Sequence, residues 1–194
     1  MRFKFTRLTA IAAAIVVGVA TAAVAGVNVG PAIGSIAPAL APGVIDTAGK
    51  PATLASIAGR KGTVLVFFRS VKWCPYCQHQ MIELKDAAGP LAKRGYALAA
   101  ISYDPPEVQA EFAARQGIGF TFLSDPGSKT IDAWGLRDPQ YAPDSFAYGV
   151  PKPAIFVVDR GGIIRAKLAE DGYKIRPTVA SILDAAGSVM GTPF

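Results

Sequence analysis

An apolar strand that runs straight into a Cys-Pro-Tyr-Cys helix start constrains this chain more than any other feature. The stretch is Thr63 to Met81. Val64-Leu65-Val66-Phe67-Phe68 is β-branched and aromatic and reads as a buried strand. A short polar turn follows, and Cys74-Pro75-Tyr76-Cys77 opens a helix. Pro75 suits the first helical position, where its missing N–H leaves nothing unpaired. Cys74 then stands where the first free N–H groups and the positive end of the helix dipole point, a setting that favours thiolate over thiol. Cys77, one turn on, is within reach to form a disulfide with it. Cys74 is therefore the candidate nucleophile and Cys77 the candidate resolving thiol.

The alternative is a structural staple. A bridge closing so short a loop removes roughly 2 kcal/mol or less of unfolded-state entropy. A chain of 194 residues can bury a sizeable core without it. The redox reading is preferred on that ground.

The first seven residues hold Arg2, Lys4 and Arg7 and no acid, and Leu8 to Ala25 carries no charge. Ala23-Val24-Ala25 is a small-x-small cleavage pattern before Gly26. Residues 1–25 thus read as a secretory signal peptide, which predicts a periplasmic or secreted protein. The competing reading is an uncleaved anchor facing the periplasm, because 18 apolar residues is borderline for a span. A membrane enters only in that second case. Without the leader, 17 basic residues face 14 acidic ones, a net of +3 rather than +6. The basic side chains are scattered and form no stripe with aromatics, which gives no support to a nucleic-acid partner.

Residues 26–43 are rich in Gly, Ala and Pro, and 26–35 read as a tether that becomes ordered near Ile36, with a domain over 36–190. Gly43–Ile45 and Ala52–Leu54 flank the turn signal Asp46 to Lys50 and suggest a small hairpin. The helix from Pro75 is expected to reach Lys93, with Cys77, Met81, Leu84, Ala88 and Leu91 on its buried face and Gly95 as its stop. Further strands are expected at 96–102, 119–123, 153–159 and 163–168, the last two joined by Gly161-Gly162. Helices are expected from Pro105 to Gly117, from Ser128 to Trp134 and from Pro177 onward. Residues 135–152 hold three Pro, two Asp and two Tyr with no period, the mark of a long loop. The order β-α-β-α-β-β-α predicts an α/β fold, a central mixed sheet flanked by helices.

A strand feeding Trp73-Cys74-x-x-Cys77, then β-α-β, a Pro-led strand ending in Asp159, a Gly-Gly hairpin and a terminal helix resembles the thioredoxin fold. Within it, the chain resembles the redoxin branch, the alkyl hydroperoxide reductase/thiol-specific antioxidant (AhpC/TSA) family, and its periplasmic thiol–disulfide oxidoreductases. The resemblance covers about residues 34–188. It implies that Pro153, or else Pro151, is a cis-proline packed on the disulfide, leaving the Lys152 backbone free to pair with an extended substrate. It makes Trp73, Tyr76, Lys152 and Pro153 a docking surface. It implies a thiol electron donor or acceptor and, as substrate, a protein or small-molecule thiol or disulfide, or a peroxide.

Two departures stand out. Phe68 occupies the position of the thioredoxins' buried acid, so the proton route must differ, with water or Glu83 as candidates. The peroxidatic Pro-x-x-x-Thr-x-x-Cys is absent in either register, and Pro153 stands where the peroxiredoxins' later Arg aligns. Arg69 and Lys72 are read as solvated. The Pro-Tyr dipeptide is similar to that of glutaredoxins and implies a potential between theirs and that of thioredoxins. His79, the one histidine, lies off the buried face and reads as surface. Two thiols are too few for zinc, and the spacing and lack of a distant His weaken copper carriage, so no metal or cofactor is expected. Three readings follow: a thiol–disulfide oxidoreductase first, a thiol peroxidase second, and a metal-carrying or non-catalytic binding module third.

Overall fold

The computed structural model describes residues 28–189. The leader read at 1–25 lies outside the described residues. A six-stranded mixed sheet runs through the molecule in the order β1-β4-β3-β2-β5-β6. Its strands are β1 (Ile45–Asp46), β2 (Gly62–Phe67), β3 (Tyr96–Ser102), β4 (Thr121–Ser124), β5 (Ala154–Asp159) and β6 (Ile164–Leu168). The helices are α1 (Pro75–Glu83), α2 (Lys85–Lys93), α3 (Pro106–Gln116), α4 (Lys129–Ala133) and α5 (Val179–Ser188). β2 lies centrally, parallel to β3 and antiparallel to β5, with Val66 opposite Ala100 on one side and Ile155 on the other. The α/β expectation holds.

All six β2 residues are buried, so its two faces belong to different cores. Val64, Val66 and Phe68 join Cys77, Met81, Leu84, Leu91 and Ile182 under α1, α2 and α5. Leu65 and Phe67 turn the other way, onto Ile131, Trp134, Phe156 and Val29. Period-2 alternation explains this split within an uninterrupted apolar run. Phe67, Trp134 and Phe156 pack with ring centroids 4.9–5.9 Å apart. Such pairs contribute about 0.5–1.5 kcal/mol each beyond area burial. Gly62 is required at the start of β2, because a Cβ there would stand 2.0 Å from the Val158 carbonyl oxygen.

Three expectations change. The helix over 75–93 is interrupted at Leu84 and continues as α2, with Pro90 inside it. Proline at that site donates no bond and crowds the carbonyl four residues back. Across the interruption the buried series becomes Cys77, Met81, Leu84, Ala87 and Leu91, so Ala87 takes the place expected for Ala88. Residues 28–35 do not behave as a tether: Val29 is buried, and the Pro31 carbonyl accepts from Lys167 Nζ. The turn at 46–50 forms, with Asp46 N–H donating to the Lys50 carbonyl. Its first arm also pairs with β4, making β1 the sheet edge.

Candidate active site

Cys74 and Cys77 form a disulfide with a Cα separation of 5.3 Å. β2 delivers the chain to them through Phe68 and the 69–73 turn. Ser70 Oγ accepts from the backbone N–H groups of Lys72 and Trp73, and Gln78 Nε2 donates to the Val71 carbonyl. Cys74 is the N-cap of α1, with Pro75 at its first position. The Cys74 sulfur accepts from the Cys77 N–H at 3.3 Å, the helix-start contact that the spacing predicts.

The sulfurs do not stand open to solvent. Cys74 is 2% exposed and Cys77 is fully buried. The sulfurs belong to the core under α1, and aromatic side chains from distant loops meet their neighbours Trp73 and Tyr76. Trp73 donates its indole N–H to the Tyr103 hydroxyl at 3.0 Å and packs edge-on against Phe146 at 5.2 Å. Tyr76, half exposed as expected, packs edge-on against Tyr173 at 5.9 Å.

Arg69 overturns its expectation. It is buried, its Nη2 donates to the Tyr141 hydroxyl, and its guanidinium lies 4.1–5.2 Å from the ring centres of Tyr173, Tyr141 and Trp73. Cation–π contact of this kind replaces part of the lost hydration. A second guanidinium, from Arg176, places Nη2 3.5 Å from the Cys77 sulfur. Burial, then the Arg69 charge, lowers the Arg176 pKa to about 10. Arg176 was missed because residues 169–177 show no period. The available signal was aromatic: Tyr141, Phe146 and Tyr173 interrupt polar loops and bring rings to the site.

A buried acid exists, but not where the resemblance looks for it. Asp104, just past β3, accepts the Val71 N–H at 2.7 Å. Burial pushes its pKa up, against hydrogen bonds from Ser70, Val71 and Ser102 and the charge of Lys72. Glu83 is exposed and pairs with His79 at 3.2 Å on the surface. Glu83 thus stands on the solvent side of α1, paired with His79 rather than with either sulfur, and His79 is a surface residue as read.

The Pro153 expectation fails in its geometry: no peptide bond among the described residues is cis. The Lys152 N–H is not free either, because it donates to the Leu136 carbonyl at 2.7 Å. Asp138 N–H donates to the Val150 carbonyl, and Arg137 bridges Pro151. The long loop thus folds back and occupies the strand position that a docked peptide was expected to take. Lys152 and Pro153 instead line a cleft of about 160 Å³ with Asp138, Glu170, Asp171 and Tyr173. Among the described residues no cluster of His, Cys, Asp and Glu suited to a metal occurs.

A cysteine pair at the start of a helix that leaves the central strand of a mixed sheet defines a thioredoxin-fold redoxin. The AhpC/TSA family model matches residues 33–167, more than half of the chain, and the protein belongs to that family. Alkyl hydroperoxide reductase E of Mycobacterium bovis is 32% identical over 123 residues, 62% of this chain and 75% of its own. Chloroplastic peroxiredoxin Q of Sedum lineare is 28% identical over 120 residues, 62% of this chain. The chain spans only about 60% of that plant relative's length. Among solved structures, peroxidoxin BcpB of Mycobacterium tuberculosis superposes with a TM-score of 0.63 at 20% identity, over 82% of this chain and 98% of that one. That likeness establishes the shared fold.

Proposed function

We propose that the protein is a thiol-dependent hydroperoxide reductase that cycles Cys74 and Cys77 between dithiol and disulfide. The observation that carries this reading is access. Both sulfurs are buried, and the strand position beside Pro153 is filled by the chain itself. A small hydroperoxide reaches such a site more readily than a folded disulfide substrate does. The peroxiredoxin and alkyl hydroperoxide reductase relatives support the same choice.

The chemistry balances as follows. The Cys74 thiolate, held by the helix N-terminus, attacks one peroxide oxygen. The O–O bond breaks, the departing alkoxide takes a proton, and Cys74 becomes a sulfenic acid. Cys77 attacks the Cys74 sulfur and expels water, forming the disulfide. Two external thiols return both cysteines to the reduced state. Arg176, beside Cys77, favours the attacking thiolate.

Peroxide added to the reduced protein should be consumed with one disulfide formed per peroxide, and Cys77→Ser should trap a sulfenate on Cys74. Peroxide reacting no faster than with free cysteine, alongside efficient reduction of insulin disulfides, would replace this reading with thiol–disulfide exchange. That second reading has its own support, because Tyr76, Phe146 and Ile175 are exposed around the site and could receive a partner.

Export rests on the leader alone. Cleavage after Ala25 would place the protein in the periplasm or outside the cell, with an N-terminus at Gly26 by mass spectrometry. An intact N-terminus in the membrane fraction would mark the anchored form instead.

A further inference from the structure

Two guanidiniums stand near the disulfide without an ion-pair partner, and the buried acid of the site, Asp104, is engaged by the Val71 N–H. Arg69 is 2% exposed, and its Nε and Nη1 have no hydrogen-bond partner among the described residues. Arg176 has its Nη1 held by the carbonyls of Tyr173 and Ile175, while its Nε is buried without a partner. The ion pairs among the described residues involve His79, Arg115, Arg137 and Arg165, and neither Arg69 nor Arg176. Two guanidiniums that feel each other's charge, one buried and one half-buried, without a carboxylate, are costly to keep. Buried donors left unpaired require a cause. An anion that arrives during the reaction cycle is one.

We propose that Arg69 receives the carboxylate of a small thiol, the reductant of the Cys74–Cys77 disulfide, while Arg176 stabilises the Cys77 thiolate that this reductant displaces. The inference rests on the pair being a redox couple, whichever oxidant it serves, and it names the class of electron donor. The oxidised protein holds these two cations without an ion pair, and the molecule that reacts with the oxidised form is the reductant. The same burial that disfavours a protein disulfide disfavours a protein dithiol. A neutral small thiol would leave the Arg69 donors empty, whereas a carboxylate forms charge-assisted bonds with them. Tyr141 and Tyr173, which cover Arg69, lie outside helices and strands, so the cover can part without breaking the sheet. The cleft that shares Tyr173 sets three acids, Asp138, Glu170 and Asp171, against Lys152, and so favours an anion less than the guanidinium pair does.

The electrons balance with two donor thiols. The first donor thiolate attacks the Cys74 sulfur, the more exposed of the two. The Cys74–Cys77 bond breaks, and its electron pair leaves on Cys77 beside Arg176 Nη2. A second donor thiolate attacks the donor sulfur of the mixed disulfide, which releases Cys74 as a thiolate and the donor as its own disulfide. The protons of the two donor thiols end on the cysteines or in solvent.

The test uses the oxidised full chain, no peroxide, and three probe thiols of different charge: mercaptopropionate, mercaptoethanol and cysteamine. Reduction is followed by stopped-flow tryptophan fluorescence, with rates compared per thiolate. Mercaptopropionate should be faster than mercaptoethanol by about tenfold, the effect of one charge-assisted pair. It should saturate, and cysteamine should be slowest. Added salt should shrink the preference. Arg69→Gln should abolish the preference and Arg69→Lys should restore part of it. Equal rates for all three probes with the wild-type protein overturn the proposal, as does a preference that survives in folded Arg69→Gln. If that variant does not fold, the wild-type charge series and its salt dependence decide alone. Failure of the pair to react with any thiol would instead remove the redox reading itself. Failure to consume peroxide would remove only the peroxidase reading.

Discussion

The two ends of the central strands treat charge in opposite ways. At the β5–β6 hairpin, Arg165 Nε donates to Asp159 at 2.6 Å, and Asp159 also accepts the Ile163 N–H at 2.9 Å. Burial raises the Asp159 pKa, but those bonds and the Arg165 charge outweigh it and hold the carboxyl below its usual range. At the other end, where β2 leaves the sheet for Cys74, Arg69 and Arg176 have no carboxylate and Asp104 is buried with its pKa raised. One end is satisfied and structural. The other holds charge and potential that the fold alone does not use, and that is where the cysteines are. Unsatisfied polar groups are costly, so their concentration at one place points to chemistry there.

The comparison breaks most clearly if Arg176→Gln leaves the reaction unchanged. Under the peroxidase reading, closure of the Cys74 sulfenate to the disulfide by Cys77 should slow about a hundredfold, the scale for removing one charged donor beside a reacting group. Its folding stability should not fall, because a guanidinium in an uncompensated place is removed. Asp159→Asn should do the reverse. It should cost about 1.5–3 kcal/mol in urea denaturation, the worth of hydrogen bonds to a charged group, and leave the oxidation rate as it was. Equal effects of the two substitutions on both measurements would erase the distinction between the ends.

The fold was legible to a large degree for physical reasons. The Val64–Phe68 run, the Pro75 helix start and the αL Gly117 that ends α3 are local signals, and each falls close to its expected place. The site was legible only in its covalent part. Cys74, Cys77, Trp73 and Tyr76 lie on one continuous segment, and their spacing carries their geometry. Arg69 was read as solvated because a charged residue usually is. Its burial depends on Tyr141 and Tyr173, 72 and 104 residues further along, brought over it by loops with no sequence period. Lys152 and Pro153 were placed by resemblance, and the resemblance could not show that residues 136–138 already fill the strand position. Pro105 reads as a helix start, but Asp104 before it carries no signal in the sequence, and its role as acceptor for the Val71 N–H needs the sheet to be folded first.

A pH series sharpens the contrast between the ends through opposite slopes. Asp159 has a folded pKa below its unfolded value, about 3.9. Its contribution to stability is present above that unfolded value and is lost as pH falls through the folded one. Asp104 has a folded pKa above its unfolded value. Its contribution is present below the unfolded value and is lost as pH rises through the folded one. Urea denaturation of wild type against Asp159→Asn should therefore show a gap that closes toward acid pH. Wild type against Asp104→Asn should show wild type losing ground as pH rises from about 3.9. The second effect should be the smaller, because Asn keeps an acceptor for the Val71 N–H. Parallel slopes would mean that Asp104 is not held as a desolvated acid.

The smallest effect tests where the proton goes. His79 and Glu83 form an i,i+4 pair with side chains 74% and 50% exposed. Such a pair is worth about 0.3–0.5 kcal/mol at most. Glu83→Gln should shift the urea midpoint by no more than that and leave both peroxide oxidation and thiol reduction at the wild-type rate. The sequence offers Glu83 as a proton carrier in place of the acid that Phe68 displaces, and the structure puts it on the solvent side of α1. A loss of more than about threefold in either rate, close to 0.7 kcal/mol, with the fold intact, would return Glu83 to the mechanism. It would also require the protons of Cys77 to travel along the outside of the helix rather than through the water that enters with the substrate.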